Sequence, residues 1–153
     1  MKHPINSGEA KAEQLEKLRR LAWFRYRLRR FQRFSEQVAR SLDITPQQHQ
    51  LLLGVAGYTG RGWATISELA EFLQGRHNAV VGLVQRAVER GLVRKAQGPG
   101  DRRYVKVHLT RKGLAILDKV SRKNIAELRA LQFEILKSPQ ARPGDVPAAA
   151  GTE

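Results

Sequence analysis

The chain contains no cysteine, which excludes disulfides, thiolate zinc sites and thiol redox sensing. It has no apolar run near the roughly 20 residues that span a bilayer. Its first residues, Met1-Lys2-His3-Pro4-Ile5-Asn6, lack the apolar core of a signal peptide. The expectation is a soluble, cytoplasmic protein without a membrane partner. The four histidines, His3, His49, His77 and His108, are scattered, and no two share a metal-binding spacing on one helix. No serine stands in a nucleophile-elbow context. The glycines of 57–62 lack the Gly-Lys-Ser/Thr ending of a phosphate-binding loop. No metal, no cofactor and no catalytic activity are therefore expected.

Negative charge is the other shortage. Lys and Arg total 28 against 14 acidic residues, giving a net charge of +14 and a pI near 11.1. Such an excess implies a polyanionic partner, most commonly nucleic acid. Residues 61–112 hold 11 basic and 4 acidic side chains, and residues 1–40 hold the same numbers. The remaining residues contribute nothing net, with 6 of each sign. Two segments thus carry the charge.

One of them reads as a winged helix-turn-helix. Thr65-Ile66-Ser67-Glu68-Leu69-Ala70 is a capping box that runs into an apolar stripe. Gln74-Gly75-Arg76 ends that short helix. A second helix is expected from about His77 to Arg90, with Val80, Leu83, Val84, Ala87 and Val88 on one face and Gly91 as its left-handed cap. Strand character follows at 92–95 and 104–109, separated by Gln97-Gly98-Pro99-Gly100-Asp101-Arg102-Arg103. Helix, tight turn, helix and an arginine-tipped hairpin suit the reading of duplex DNA.

The flanks are helical. From about Lys11 to Ser41, Leu21, Phe24, Leu28, Phe31 and Val38 form a stripe opposite Arg19, Arg29, Arg30, Arg33 and Arg40. Thr45-Pro46-Gln47-Gln48 starts another helix that runs to about Ala56, followed by a loop over 57–62. Thr110 caps a last long helix striped by Leu114, Leu117, Ile125, Leu128, Leu131 and Ile135, ending near Ser138-Pro139. The expected architecture is mostly α with a small β-hairpin wing. Residues 11–137 form one domain, with helices at 11–41 and 110–137 and the winged helix-turn-helix at 45–109. Residues 1–10 and 138–153 are expected to be disordered.

In this order the elements resemble the multiple-antibiotic-resistance regulator (MarR) family of transcription factors. The resemblance spans roughly residues 15–136. It is carried by Leu69-Ala70, Val80 to Arg86, Arg90-Gly91-Leu92-Val93, Asp101-Arg102-Arg103 and Leu109-Thr110-Arg111-Lys112-Gly113. It implies a homodimer interlocked through its first and last helices, which then serve as dimerisation helices. It further implies reader helices in successive major grooves, a wing arginine in the minor groove, and a repressor of palindromic operators released by a small aromatic or anionic effector. Two departures stand out. Arg76 replaces a small capping residue, and Pro139, Pro143 and Pro147 leave little room for a further C-terminal helix at the dimer interface.

The candidate DNA contacts are Arg76, His77, Asn78, Gly82, Gln85 and Arg86 on the reader helix, with Arg102 and Arg103 in the wing. Arg and Gln carry the fork geometry that pairs with base edges. Gly82 lets the helix backbone approach the bases. A guanidinium can enter the minor groove without needing a particular base. Asp101 is read as structural, holding an arginine in orientation. Arg86 fits base contact and pairing with Asp101 or Glu89 equally well. The first helix's arginines suit a solvated face over apolar neighbours, and also a grip on phosphates or an anion. Phe24, Phe31 and Phe34 fit core and dimer contacts. A rival reading is a basic protein that coats nucleic acid without operator specificity or binds RNA, and membrane-surface binding through the first helix is a third.

Overall fold

A computed structural model describes the backbone of residues 7–98 and 101–137, and side chains within 8–97 and 104–132. The elements run α1 (Ser7–Ser41), α2 (Pro46–Leu53), a π-helical turn (Gly54–Tyr58), β1 (Trp63–Thr65), α3 (Ile66–Leu73), α4 (His77–Glu89), β2 (Val93–Gly98), β3 (Asp101–Leu109) and α5 (Arg111–Lys137). Helix α1 begins at Ser7, so residues 7–10, expected to be disordered, are helical. Residues 1–6 and the 138–153 tail lie outside the described residues.

Local chemistry explains the boundaries. Thr45 and Thr65 each accept from the backbone N–H three residues on, and the Gln48 and Glu68 side chains accept from the threonine N–H in return. Two orphan donors are thereby satisfied at each helix start. Three helices end alike, with one residue at positive φ: Asp43 at 59°, Gln74 at 51° and Gly91 at 68°. After α4, Gly91 N–H donates to the Val88 carbonyl and Leu92 N–H to the Ala87 carbonyl. These bonds satisfy carbonyls that the helix leaves free. Helix α2 does not simply run on to Ala56 as expected, because residues 54–58 widen into a π turn.

The hairpin is wider than the sequence indicates, with strands over 93–98 and 101–109. It also gains a third strand. Trp63–Thr65 pairs antiparallel with β3, so the sheet order is β1-β3-β2. Trp63 stands opposite His108 and Ala64 opposite Val107.

Contacts among the described residues cluster into two compact units, the first up to Arg33 and from Ile125 onward, the second from Phe34 to Asn124. Among the described residues the second holds the largest fully buried side chains: Leu51, Leu52, Val55, Leu69, Val84, Leu92, Val93, Val107 and Val120. In the first, Leu15, Leu18, Leu21, Phe24, Ile125 and Leu128 stay exposed.

His49 lies within the second unit's core, 3% exposed, and burial holds its pKa below the ordinary 6.5. The unfolded chain takes up this proton at the ordinary pKa and the native chain only at lower pH. Stability is therefore expected to be undiminished above about pH 7 and to decline as pH falls through 6. His108, also shifted downward, adds a decline of the same sign. Urea titrations at pH 7.5, 6.5 and 5.5 should show His49→Gln losing less stability over that range than wild type.

Candidate nucleic-acid interface

Helices α3 and α4 meet at the Gln74-Gly75-Arg76 turn, all three residues exposed. Helix α4 buries Val80, Leu83, Val84 and Ala87, one face of a helix with 3.6 residues per turn. That burial turns the other face to solvent. There Arg76, His77, Asn78, Gln85 and Arg86 are exposed, and Gly82 is half-buried. The structure thus brings together all six reader-helix candidates.

The start of α4 differs from those of its neighbours. Arg76 sits in the cap position in extended conformation and supplies no side-chain hydrogen bond to the helix. Helices α2 and α3 spend their first N–H groups on a capping box. Those of α4 receive no such side-chain cap, beside Arg76, with the positive end of the helix dipole behind them. Such an end binds an anion.

Gln85 already has partners. Its side-chain N–H donates to Glu89 at 3.2 Å, and its carbonyl accepts from Lys95 at 3.0 Å. Lys95 on β2 therefore stands beside the reader helix, a basic neighbour the sequence reading missed. Glu89 bonds to Gln85, and among the described residues Arg86 forms no ion pair; its guanidinium lies 3.3 Å from where a Cβ on Gly82 would sit. The wing's Asp101, Arg102 and Arg103 fall on β3, but their side chains lie outside the described residues.

Two basic side chains near the reader do other work. Arg90 donates to the Asp43 carbonyl at 2.6 Å and to its carboxylate at 2.9 Å, tying α4 to the α1–α2 turn. Lys112 donates to the Arg90 carbonyl at 2.9 Å. Arg61, also unforeseen, contacts both Glu68 oxygens at 2.6 Å and lies 3.9 Å over the Trp63 ring. The Thr65 N–H and then Arg61 hold the Glu68 carboxyl below the usual range, against the opposing effect of burial.

In the first unit, Arg27, Arg30, Phe31, Glu127 and Leu131 line a hollow of about 10 Å³, room for one water molecule. Among the described residues no cluster of His, Asp or Glu could hold a metal ion, and no helix is long and apolar enough to cross a membrane.

A model of the MarR family matches residues 42–103, the segment from α2 to the wing tip. No curated protein matches the chain in sequence. Among solved structures, AbsC, a MarR family transcriptional regulator from Streptomyces coelicolor, is 20% identical with a TM-score of 0.62, covering 90% of this chain and 86% of its own. Wild-type MarR from E. coli is 24% identical with a TM-score of 0.60 over 72% of this chain and 81% of its own. A mutant of E. coli MarR complexed with operator DNA is 23% identical with a TM-score of 0.55, over 74% and 90%. The central segment of this chain carries the MarR family pattern, and the chain has the fold of the MarR winged-helix regulators.

Proposed function

We propose that the chain is a sequence-specific duplex-DNA-binding repressor that acts as a homodimer on palindromic operators. The observation that carries this is α4, whose start lacks a side-chain cap and whose exposed face presents Arg76, His77, Asn78, Gln85 and Arg86 beside a hairpin wing. A helix of this kind fits a major groove, with side chains at base edges and its N-terminus near a phosphate. The operator complex of the related E. coli protein supports duplex DNA as the ligand. Selection from a random duplex pool tests the reading. The expected product is a two-fold symmetric site with half-sites about one helical turn apart; recovery of unenriched sequence would contradict it.

The dimer is inferred from the first unit, where Leu15, Leu18, Leu21 and Phe24 are each at least half exposed along α1. Exposed apolar side chains clustered in this way mark an interaction surface. Light scattering is expected to give twice the chain mass of 17.3 kDa, and Leu21→Asp with Phe24→Asp is expected to give monomers. A monomeric wild-type protein at micromolar concentration would contradict the dimer. Release by a small aromatic or anionic effector remains part of this reading, supported by the buried Arg27 of the first unit. Its test is a loss of operator binding when aromatic carboxylates are added.

One observation favours the rival of unspecific coating. From Lys17 to Arg33 helix α1 carries eight Lys and Arg and no acidic residue. So basic a segment binds any polyanion, and that affinity fades with salt.

A further inference from the structure

The wing sheet has a second face that the reader helix does not use. Ala64 and Val107 point into the core, both fully buried. Strand alternation then turns Trp63, Lys106 and His108 outward. The register sets Trp63 opposite His108 and His108 opposite Arg94, with Lys106 opposite Thr65 and Ala96. Tyr104, beside the irregularity in the β2–β3 register, is 61% exposed. At the edge, Arg61 lies 3.9 Å and Lys106 4.4 Å from the centre of the Trp63 ring. Among the described residues Glu68 is the one carboxylate contacting this group, and Arg61 engages it. Among the described residues Arg94 and Lys106 form no ion pair. The positive field is felt locally: burial first, then Arg94 and Lys106, push the His108 pKa down.

We propose that this outward face, through Arg94, Lys106, His108 and Tyr104, grips the phosphate backbone of duplex DNA flanking the half-site. Three considerations single out that occupant. The charge is complementary to phosphate. Lys106, His108 and Tyr104 lie on the strand that leaves the wing tip and Arg94 on the strand that enters it, so the face continues the proposed DNA interface. Arg61 and Lys106 both lie against the Trp63 ring, which therefore braces two cations, whereas single-strand binding requires a ring open to an unpaired base. From Tyr104 to His108 the strand rises about 13 Å, a length over which one strand of B-DNA presents roughly four phosphates. An arginine and a lysine there add contacts without adding sequence information.

This inference rests on the duplex-binding reading, and the experiment separates the two. The duplex recovered from the random pool is prepared trimmed to its half-sites and with about 10 base pairs of flank on each side, roughly one helical turn. Wild type is expected to show a steeper fall of log affinity with log salt on the flanked duplex. The double variant Arg94→Gln, Lys106→Gln should lower that slope by about 1 per lost contact, about 4 per dimer, and leave the trimmed duplex unaffected. Arg94→Lys should keep most of the flank effect. Equal slopes on the two duplexes, or equal weakening of both by the double variant, would overturn the proposal while leaving operator binding intact. Competition by poly-glutamate that the double variant abolishes, without any flank effect, would overturn it in favour of an acidic protein partner. Failure of wild type to prefer the recovered duplex over random DNA would sink the reading of function itself.

Discussion

Gly113→Ala is expected to destabilise the fold by about 3 kcal/mol, read as a shift of the urea midpoint or a fall of roughly 10 °C in Tm. Helix propensity alone argues the opposite, since alanine in a helix is worth close to 1 kcal/mol over glycine. Packing outweighs it. Gly113 is buried in the first turn of α5, and a Cβ built there runs into the Leu92 carbonyl, a backbone atom. No rotamer change can relieve that overlap. The same carbonyl accepts from the Thr110 N–H at 3.1 Å, and the Thr110 hydroxyl caps the Gly113 N–H at 3.0 Å. Moving Leu92 away therefore disturbs both the cap of α5 and the Leu92 N–H bond that closes α4. A variant as stable as wild type would show that α5 does not seat on Leu92 as closely as the structure has it.

The second large effect separates two kinds of DNA contact. Gln85→Ala is expected to lose discrimination at one base pair per half-site, by about 1–3 kcal/mol, with little change in binding to random DNA. Gln85 faces solvent between Glu89 and Lys95, so reading a base requires it to exchange those partners for a base edge. Arg103→Ala is expected to weaken binding to most duplexes and to flatten the salt slope by about 1 per contact, about 2 per dimer. A side chain at base edges carries sequence information, whereas an arginine in the minor groove responds mainly to potential and groove width. Isotherms on matched, mismatched and random duplexes at three salt concentrations check both. An Arg103→Ala protein with unaltered affinity and slope would leave the wing as solvated surface.

What the sequence makes legible here is whatever local chemistry determines. The capping boxes at Thr45 and Thr65 depend on residues three apart, and the left-handed cap at Gly91 on one residue type. Each can be read from a few letters, and each stands in the structure as read. The buried face of α4 follows from helical period, so the exposed face follows too. Strand β1 was not legible, because three residues form a strand only through pairing with β3 more than forty positions later. The same distance hides the Arg61–Trp63–Lys106 stack. The π turn at 54–58, Gly-Val-Ala-Gly-Tyr, follows a well-capped helix and holds no proline to warn of the change. Arg90 illustrates a different difficulty: its charge suggests a DNA contact, but its bonds to Asp43 give it a structural task.

The central claim is specificity, since a chain of net charge +14 binds any nucleic acid at low salt. The decisive measurement is competition between the recovered duplex and bulk genomic DNA at about 150 mM salt, where counterion release has removed much of the unspecific affinity. The account predicts a preference of roughly a thousandfold or more for the specific duplex, lost when its half-sites are scrambled. A preference within a few-fold of unity, equally strong for single-stranded RNA, would contradict it and identify a coating protein instead.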